Sequence, residues 1–245
     1  MRYAVISDIH SNLEALESFL DEASSLGIDK TVCLGDIVGY NANPNECIEL
    51  VRRHNFACIM GNHDSRTAGL EEPSDFNFHA AAAVYWTRQV LTEENREFLR
   101  GLPRTLMVNQ SFLAFHGWVN DTDQYILGAN SAMENFRLVK ALKNPTNLCF
   151  FGHTHVPITY VQTNGTVAAS AEDAFKVKKA ARYLINPGGL GQPRDRDPRA
   201  AFLIYDTKKS EVSFRRIGYD VQKTADKIIA AGLPERLAER LKLGW

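Results

Sequence analysis

Five short groups of residues carry side chains able to hold a metal ion: Asp8-Ile9-His10, Gly35-Asp36, Gly61-Asn62-His63-Asp64, His116-Gly117 and Gly152-His153-Thr154-His155. They hold five of the chain's seven histidines. His54, at a helix end, and His79, early in a helix, read as surface or capping residues. Each group directly follows a short apolar run of strand type: Tyr3–Ile6, Thr31–Leu34, Phe56–Met60, Phe112–Phe115 and Leu148–Phe151. In an α/β sheet ligands bind outside the carboxyl ends of the strands, so five groups in this position converge on one site. A lone histidine after a strand is as readily a satisfied structural residue as a ligand. Five imidazoles and three carboxylates at one sheet edge are different, because burying them without metal or tight pairing is costly for each. Imidazole, carboxylate and amide donors without cysteine suit Mn2+, Fe, Zn2+ or Ni2+ better than an all-oxygen Mg2+ or Ca2+ site. The set exceeds one ion's needs. Two divalent ions about 3.5–4 Å apart, sharing a bridging carboxylate, would use it, and such a pair drives in-line displacement at phosphorus. Glycines 35, 61, 117 and 152 beside these groups give room for sharp turns and close backbone approach.

The elements that must position these groups are legible from periodicity. Up to about Phe151, short apolar runs alternate with amphipathic stretches, the pattern of βαβ units around a largely parallel sheet. Leu13, Leu16, Phe19, Leu20, Ala23 and Leu26 recur at helical spacing, with Ser11 or Asn12 as N-cap and Gly27 as stop. Asn43-Pro44-Asn45-Glu46 places an N-cap, an N1 proline and a capping-box glutamate before the helix Cys47–His54. Further helices are predicted over Asn77–Leu91, Glu93–Arg100 and Ser131–Leu142. After His155 the texture changes to paired strands, Ile158–Gln162 with Thr166–Ser170 and Ala200–Tyr205 with Val212–Ile217, which read as a second, mainly antiparallel sheet. Two helical stretches, Val221–Ala231 and Pro234–Leu241, close the chain. The expectation is a single domain over 1–245, with a core at 1–217 and a helical extension at 218–245.

Composition narrows the function classes. With 44% apolar and 23% charged residues the chain has ordinary globular usage, which excludes a disordered or low-complexity protein. The 28 Lys+Arg against 29 Asp+Glu leave a net charge of −1, so there is no global positive field for nucleic acid or an anionic membrane. No apolar stretch approaches the roughly 18 residues of a membrane span. The first apolar strand runs straight into Asp8 and His10, so no signal peptide is expected and the default address is cytoplasmic. The four cysteines lack Cys-x-x-Cys spacing and read as reduced packing residues.

Asp8-x-His10, Gly35-Asp36, Gly61-Asn62-His63-Asp64, His116-Gly117 and Gly152-His153-Thr154-His155 together resemble the ordered motif set of the calcineurin-like metallophosphoesterases. Gly35–Tyr40, Asn186–Asp195 and Gly232–Leu241 are similar to stretches of the compact bacterial and archaeal phosphodiesterase-like branch. The resemblance implies a four-layer α/β/β/α sandwich of two mixed β-sheets, with a dinuclear metal site at the C-terminal ends of the strands. It implies that one ion, Mn2+ first among the candidates, is held by Asp8, His10, Asp36 and His155. A second is held by Asp36, Asn62, His116 and His153, with Asp36 as the bridge. A water or hydroxide between the ions then attacks phosphorus, and His63 protonates the leaving oxygen. The substrate is a small phosphorylated molecule. Asp64 either orients His63 or caps the next turn. Asn12 and Arg194 are candidate phosphate contacts, against the alternatives of a helix cap and a solvated charge.

The pattern departs from that of relatives in places. Where the protein Ser/Thr phosphatase branch has an Asp-Arg pair, this chain has Gly39-Tyr40, which removes a carboxylate partner of the acid histidine and a phosphate-binding arginine. Asn41-Ala42 and Gly189 replace the Gly-Pro and Ser common in the closer branch. The uncharged Tyr40 in place of that arginine points to a phosphodiesterase, with a phosphomonoesterase or nucleotide phosphatase as the alternative. A non-catalytic scaffold of the same fold is opposed by the unaltered ligand positions. Amidohydrolase and metallo-β-lactamase centres are opposed by motif order, since Asp-x-His comes first here and His-x-His last.

Overall fold

A computed structural model of the chain describes residues 1–245. The N-terminal half runs β1 (Arg2–Ile6), α1 (Leu13–Ser25), β2 (Lys30–Cys33), α2 (Pro44–Arg53), β3 (Ala57–Cys58), α3 (Asn62–Thr67), α4 (Phe78–Val90), α5 (Glu93–Arg100), β4 (Thr105–Val108), β5 (Phe112–Phe115), α6 (Ala129–Ala141) and β6 (Leu148–Phe151). The remainder runs β7 (Ile158–Thr163), β8 (Thr166–Ser170), β9 (Ala174–Lys176), β10 (Arg182–Asn186), β11 (Ala200–Asp206), β12 (Glu211–Ile217), α7 (Val221–Ala230) and α8 (Glu235–Leu243).

Two six-stranded sheets form, ordered β3-β2-β1-β11-β12-β9 and β4-β5-β6-β10-β7-β8. Both are mixed. β1, β2 and β3 pair in parallel, and β11 closes antiparallel on the free edge of β1. In the second sheet β5, β6 and β10 are parallel, flanked by antiparallel β4 and β7. This corrects the expected division into an early parallel sheet and a late antiparallel one: each sheet takes strands from both halves. The cause is edge pairing, because the parallel strands leave open edges that the later strands fill. β4, β9 and β10, and the short α3, are additions to the elements that periodicity marks.

Strand alternation explains the layers. Ala4 and Ile6 face the cluster under α1 and α2, while Tyr3 and Val5 face the layer between the sheets. From the second sheet Phe112, Ala114, Phe150 and Ile185 enter that inter-sheet layer, and Leu113, Phe115, Cys149 and Phe151 face the cluster under α6. Strands covered on both faces are continuously apolar, which is why these runs were visible in the sequence. The result is the α/β/β/α sandwich. α7 and α8 pack with Tyr40 and with Ala80 and Ala83 of α4 in a further cluster, which ties the chain's end to the site. No helix is long and apolar enough to cross a membrane.

Candidate metal centre

The C-terminal ends of β1, β2 and β3 deliver Asp8, His10, Asp36 and Asn62, and those of β5 and β6 deliver His116, His153 and His155. All seven are 5% exposed or less. Asp8, His10, Asp36, His153 and His155 have φ between 48° and 69°. That left-handed conformation costs a non-glycine residue roughly 1–3 kcal/mol and persists only where the surroundings enforce it. Here the loops lock one another: Asp8 N donates to Gly35 O at 3.1 Å, His10 N to Asp36 O at 2.9 Å and Gly152 N to His116 O at 2.8 Å. Gly61 must lack a side chain, since a Cβ there would lie 2.1 Å from Asp36 Oδ1.

Ring orientation follows from hydrogen bonding. The Nδ1 atoms of His10, His116 and His155 lie 3.0, 2.8 and 2.6 Å from the carbonyls of Val38, Leu34 and Gln192. A carbonyl only accepts, so each Nδ1 carries a proton and each Nε2 is the atom turned inward, where a cation would take it. His153 is the reverse. Its Nε2 meets the Asp123 carbonyl at 3.0 Å, which leaves Nδ1 as the donor atom. Asp36 Oδ1 accepts from His63 N at 2.8 Å, and Oδ2 lies 3.6 Å from His10 Nε2 and 3.3 Å from His116 Nε2. One carboxylate oxygen thus faces both halves of the site.

The donors gather as Asp8–His10–His155, as Asp36–His116–His153 and as His10–Asp36–His63, with the ligand atoms of each group within 4.8 Å of one another. Two observations show that these residues fit divalent cations. The Nε2 atoms of His10 and His155 face each other at 3.2 Å with both Nδ1 protons committed elsewhere, a contact that a cation between the lone pairs relieves. Asp8 Oδ1 is buried with no hydrogen-bond partner, 3.3 Å from His155 Nε2.

The electrostatics favour the metal-binding form at four of the six titratable ligands. Burial pushes Asp8 up to about 7, with His116 opposing. Burial acts on Asp36 too, but His116, His63 and His10 together hold its carboxyl well below the ordinary range. Asp36 in turn raises His116 to about 10 against its burial. Burial keeps His10 and His155 well below the usual imidazole range and lowers His153 to about 3. His10, His153 and His155 are thus held as neutral imidazoles and Asp36 as an ionised carboxylate, the states that metal binding requires, whereas His116 and Asp8 each have a proton to release when a cation binds.

A supporting layer surrounds the ligands, and sequence reasoning missed it. Asn62 Nδ2 donates to Asp123 Oδ1 at 3.0 Å, which fixes the amide with Oδ1 3.2 Å from His116 Nε2. Asp123 is held by Arg66 at 3.0 Å, and Arg66 also pairs with Asp75 at 2.9 Å while lying 4.4 Å over the Phe76 ring. Tyr125 stacks on His153 with ring centres 4.0 Å apart. Asp123 thus orients one ligand through its side chain and another through its carbonyl. Nothing in the spacing of the 118–130 loop marks it.

Asp36, Asn62, His63, His153 and His155 line a cleft of about 170 Å3, walled by Tyr40, Phe76, Tyr125 and Arg194. The His63 ring lies 4.4 Å from Tyr40 and 4.7 Å from Phe76. Its Nδ1 is buried without a partner. Asp64 does not orient it. Asp64 Oδ1 accepts from Ile37 N at 2.9 Å and Oδ2 from Gly61 N at 3.0 Å, so this carboxylate caps α3. Arg194 reaches the cleft, with Nη2 3.4 Å from the Tyr40 hydroxyl. Asn12 does not, which corrects its candidacy as a phosphate contact. Its Oδ1 caps α1 through Ala15 N at 3.1 Å and accepts from Thr224 Oγ1, and its Nδ2 donates to Gly191 O at 2.8 Å, so the amide is consumed by the fold.

Residues 1–210 match the calcineurin-like phosphoesterase superfamily domain, and the chain belongs to that family. It is 39% identical over 246 residues to an uncharacterized protein of Methanocaldococcus jannaschii, covering 98% of this chain and 97% of that one. The crystal structure of a metallophosphoesterase from Sphaerobacter thermophilus is 38% identical and superposes with a TM-score of 0.87 over 100% of this chain and 99% of that one. A hypothetical protein of Pyrococcus horikoshii OT3, 24% identical, has the same fold with a TM-score of 0.81 over 100% of this chain and 98% of that one.

Proposed function

We propose that the chain is a phosphodiesterase acting on a small phosphorylated molecule, with two divalent transition-metal ions and Mn2+ as the first candidate. Asp8, His10, Asp36 and His155 would hold one ion and Asp36, Asn62, His116 and His153 the other, and the pair would supply acidification of water and neutralisation of charge on phosphoryl oxygens. His63 lines the cleft and delivers a proton to the leaving oxygen. In the free chain burial holds its ring down to about 4, with Asp36 opposing and Arg194 reinforcing that effect. A phosphate anion beside the ring acts in the same direction as Asp36 and favours the protonated acid. A ring nitrogen of His63 also lies within 4.8 Å of ligand atoms of His10 and Asp36, so the metal content of a His63 variant separates an acid from a ligand. A cytoplasmic setting is in keeping with four buried free cysteines.

The choice of a diester rests on Tyr40. Its ring packs 4.5 Å from His10 and 4.4 Å from His63, so an uncharged phenol stands beside the ligands. A monoester dianion brings more negative charge than a diester monoanion and gains more from a guanidinium there. Arg194, which lines the same cleft, favours the second reading, a phosphomonoesterase. Comparing kcat/KM for a bis-aryl phosphate and its mono-aryl counterpart under one metal condition tests the choice. The diester is expected to be the better substrate, and a monoester preference of about tenfold or more overturns it.

A further inference from the structure

Beside the cleft lies a second groove, of about 530 Å3, whose lining includes Arg194, Arg196, Arg236, Arg240 and Trp245 and no carboxylate side chain. Arg194 and Asn77 line both spaces, so the groove opens from the metal centre. The nearby acids are engaged elsewhere: Asp195 pairs with Arg216, and Asp197 with Arg199 at 2.6 Å. Arg236 has only an exposed one-turn pair with Glu239 at 3.3 Å, of a kind worth little in water. Arg240 Nε donates to the main-chain oxygen of Trp245.

The guanidiniums crowd one another. Arg194 and Arg240 both lie over the Tyr40 ring, 5.7 and 5.9 Å from its centre. Arg194 Nε is buried without a hydrogen-bond partner. Burial first, and then repulsion by the neighbouring Arg194, depress Arg240 to about 10. An anion among them offsets that repulsion and uses the idle donors, and the planar fork of arginine matches phosphate geometry in particular. Two of the four arginines stand on α8, beyond residues 1–210 that match the family domain. The groove therefore joins a loop of that domain to a segment outside it.

We infer that the Arg194–Arg196–Arg236–Arg240 groove binds a second phosphate group of the substrate, one carried at a distance from the phosphoester that lies at the metal centre. This rests on the phosphoesterase reading of the centre. It limits the substrate to molecules with two separated phosphoryl groups, the scissile one at the metals and the distal one on the arginines.

The test titrates metal-loaded protein with alkane-α,ω-bisphosphonates of increasing chain length, each against the alkylphosphonate of the same length, whose P–C bonds no phosphoesterase cleaves. At a favoured length the bisphosphonate is expected to bind at least about tenfold tighter, since charge-assisted hydrogen bonds contribute on that scale. Arg196→Gln with Arg236→Gln, both exposed positions, should abolish the advantage and leave the alkylphosphonate affinity unchanged, which also certifies the fold of the variant. Equal affinities at every length, or an advantage that survives the double substitution, overturns the inference. Two independent phosphonate sites with no length optimum also overturn it, because the groove then serves a free anion. Hydrolysis of aryl phosphates is followed on the same preparations. A bisphosphonate advantage without hydrolysis refutes the activity and leaves the groove standing; hydrolysis without the advantage does the opposite.

Discussion

The rim where the two sheets meet and the groove beside α8 are both rich in charged and polar side chains, but their charges are arranged in opposite ways. At the rim, carboxylates and imidazoles are buried, interlocked and tuned by one another, on backbone held at positive φ by bonds between neighbouring loops. In the groove, guanidiniums of one sign gather with few partners, on a loop and a C-terminal helix. The rim is positioned by strands sunk in three apolar layers and has little freedom to change. The groove is built by a loop and a helix that lie outside both sheets. The difference separates the chemistry, built into the strand ends, from the choice of substrate, carried by what surrounds them.

Substitutions break that division at graded depth, the deepest first. Asp36→Asn removes the one side chain that faces both halves of the rim. It should empty both metal sites and reduce turnover to background, as followed by metal analysis and aryl phosphate hydrolysis. His63→Asn comes next. It should keep its metals and lose on the order of 10²–10⁴-fold in rate, with a smaller loss for an activated aryl leaving group that needs little protonation. Metal lost in proportion to activity would make His63 a ligand.

Asp123→Ala leaves every ligand in place but frees the Asn62 amide and removes one of the three carboxylate partners of Arg66. Outer-shell losses of this kind cost about 10–100-fold in metal affinity, which a chelator competition measures. An affinity equal to that of the unaltered protein would mean Asp123 does not position Asn62. Tyr40→Arg is milder. It should shift the kcat/KM ratio toward the monoester, and an unmoved ratio would show that charge at this position does not set the preference.

The smallest effect concerns the layers beneath. Burial raises the thiols of Cys47 and Cys149, and the neighbouring Cys58 together with burial raises that of Cys33, all well above their ordinary values. None should react with a disulfide reagent at neutral pH until the chain is unfolded by denaturant. Rapid labelling of the native protein would mean that the layers supporting the rim are open to solvent.

The rim was legible because two regularities coincide there. Doubly covered strands such as Phe112–Phe115 are uninterrupted apolar runs, and the residues that follow them are chemically conspicuous. Sheet membership was not legible, because whether β11 pairs with β1 or with a late neighbour depends on free edges, which periodicity does not report. The expected capping box at Asn43 also differs. The Asn43 side chain bonds that of Glu46 at 2.9 Å and gives α2 no side-chain cap. Asp123 and Arg66 stayed hidden since their roles depend on a loop folding back 61 positions to Asn62, with no local signal. Asn12 was doubly suggestive, beside a ligand motif and at a helix start, and the cap is what the fold uses it for.

The central claim is a centre built for two ions that share Asp36. Elemental analysis of the protein purified with divalent metal in excess tests it most directly. The account predicts two transition-metal ions per chain, with both lost in Asp36→Asn. At most one ion per chain after full loading, or an Asp36→Asn protein that retains two, would contradict it.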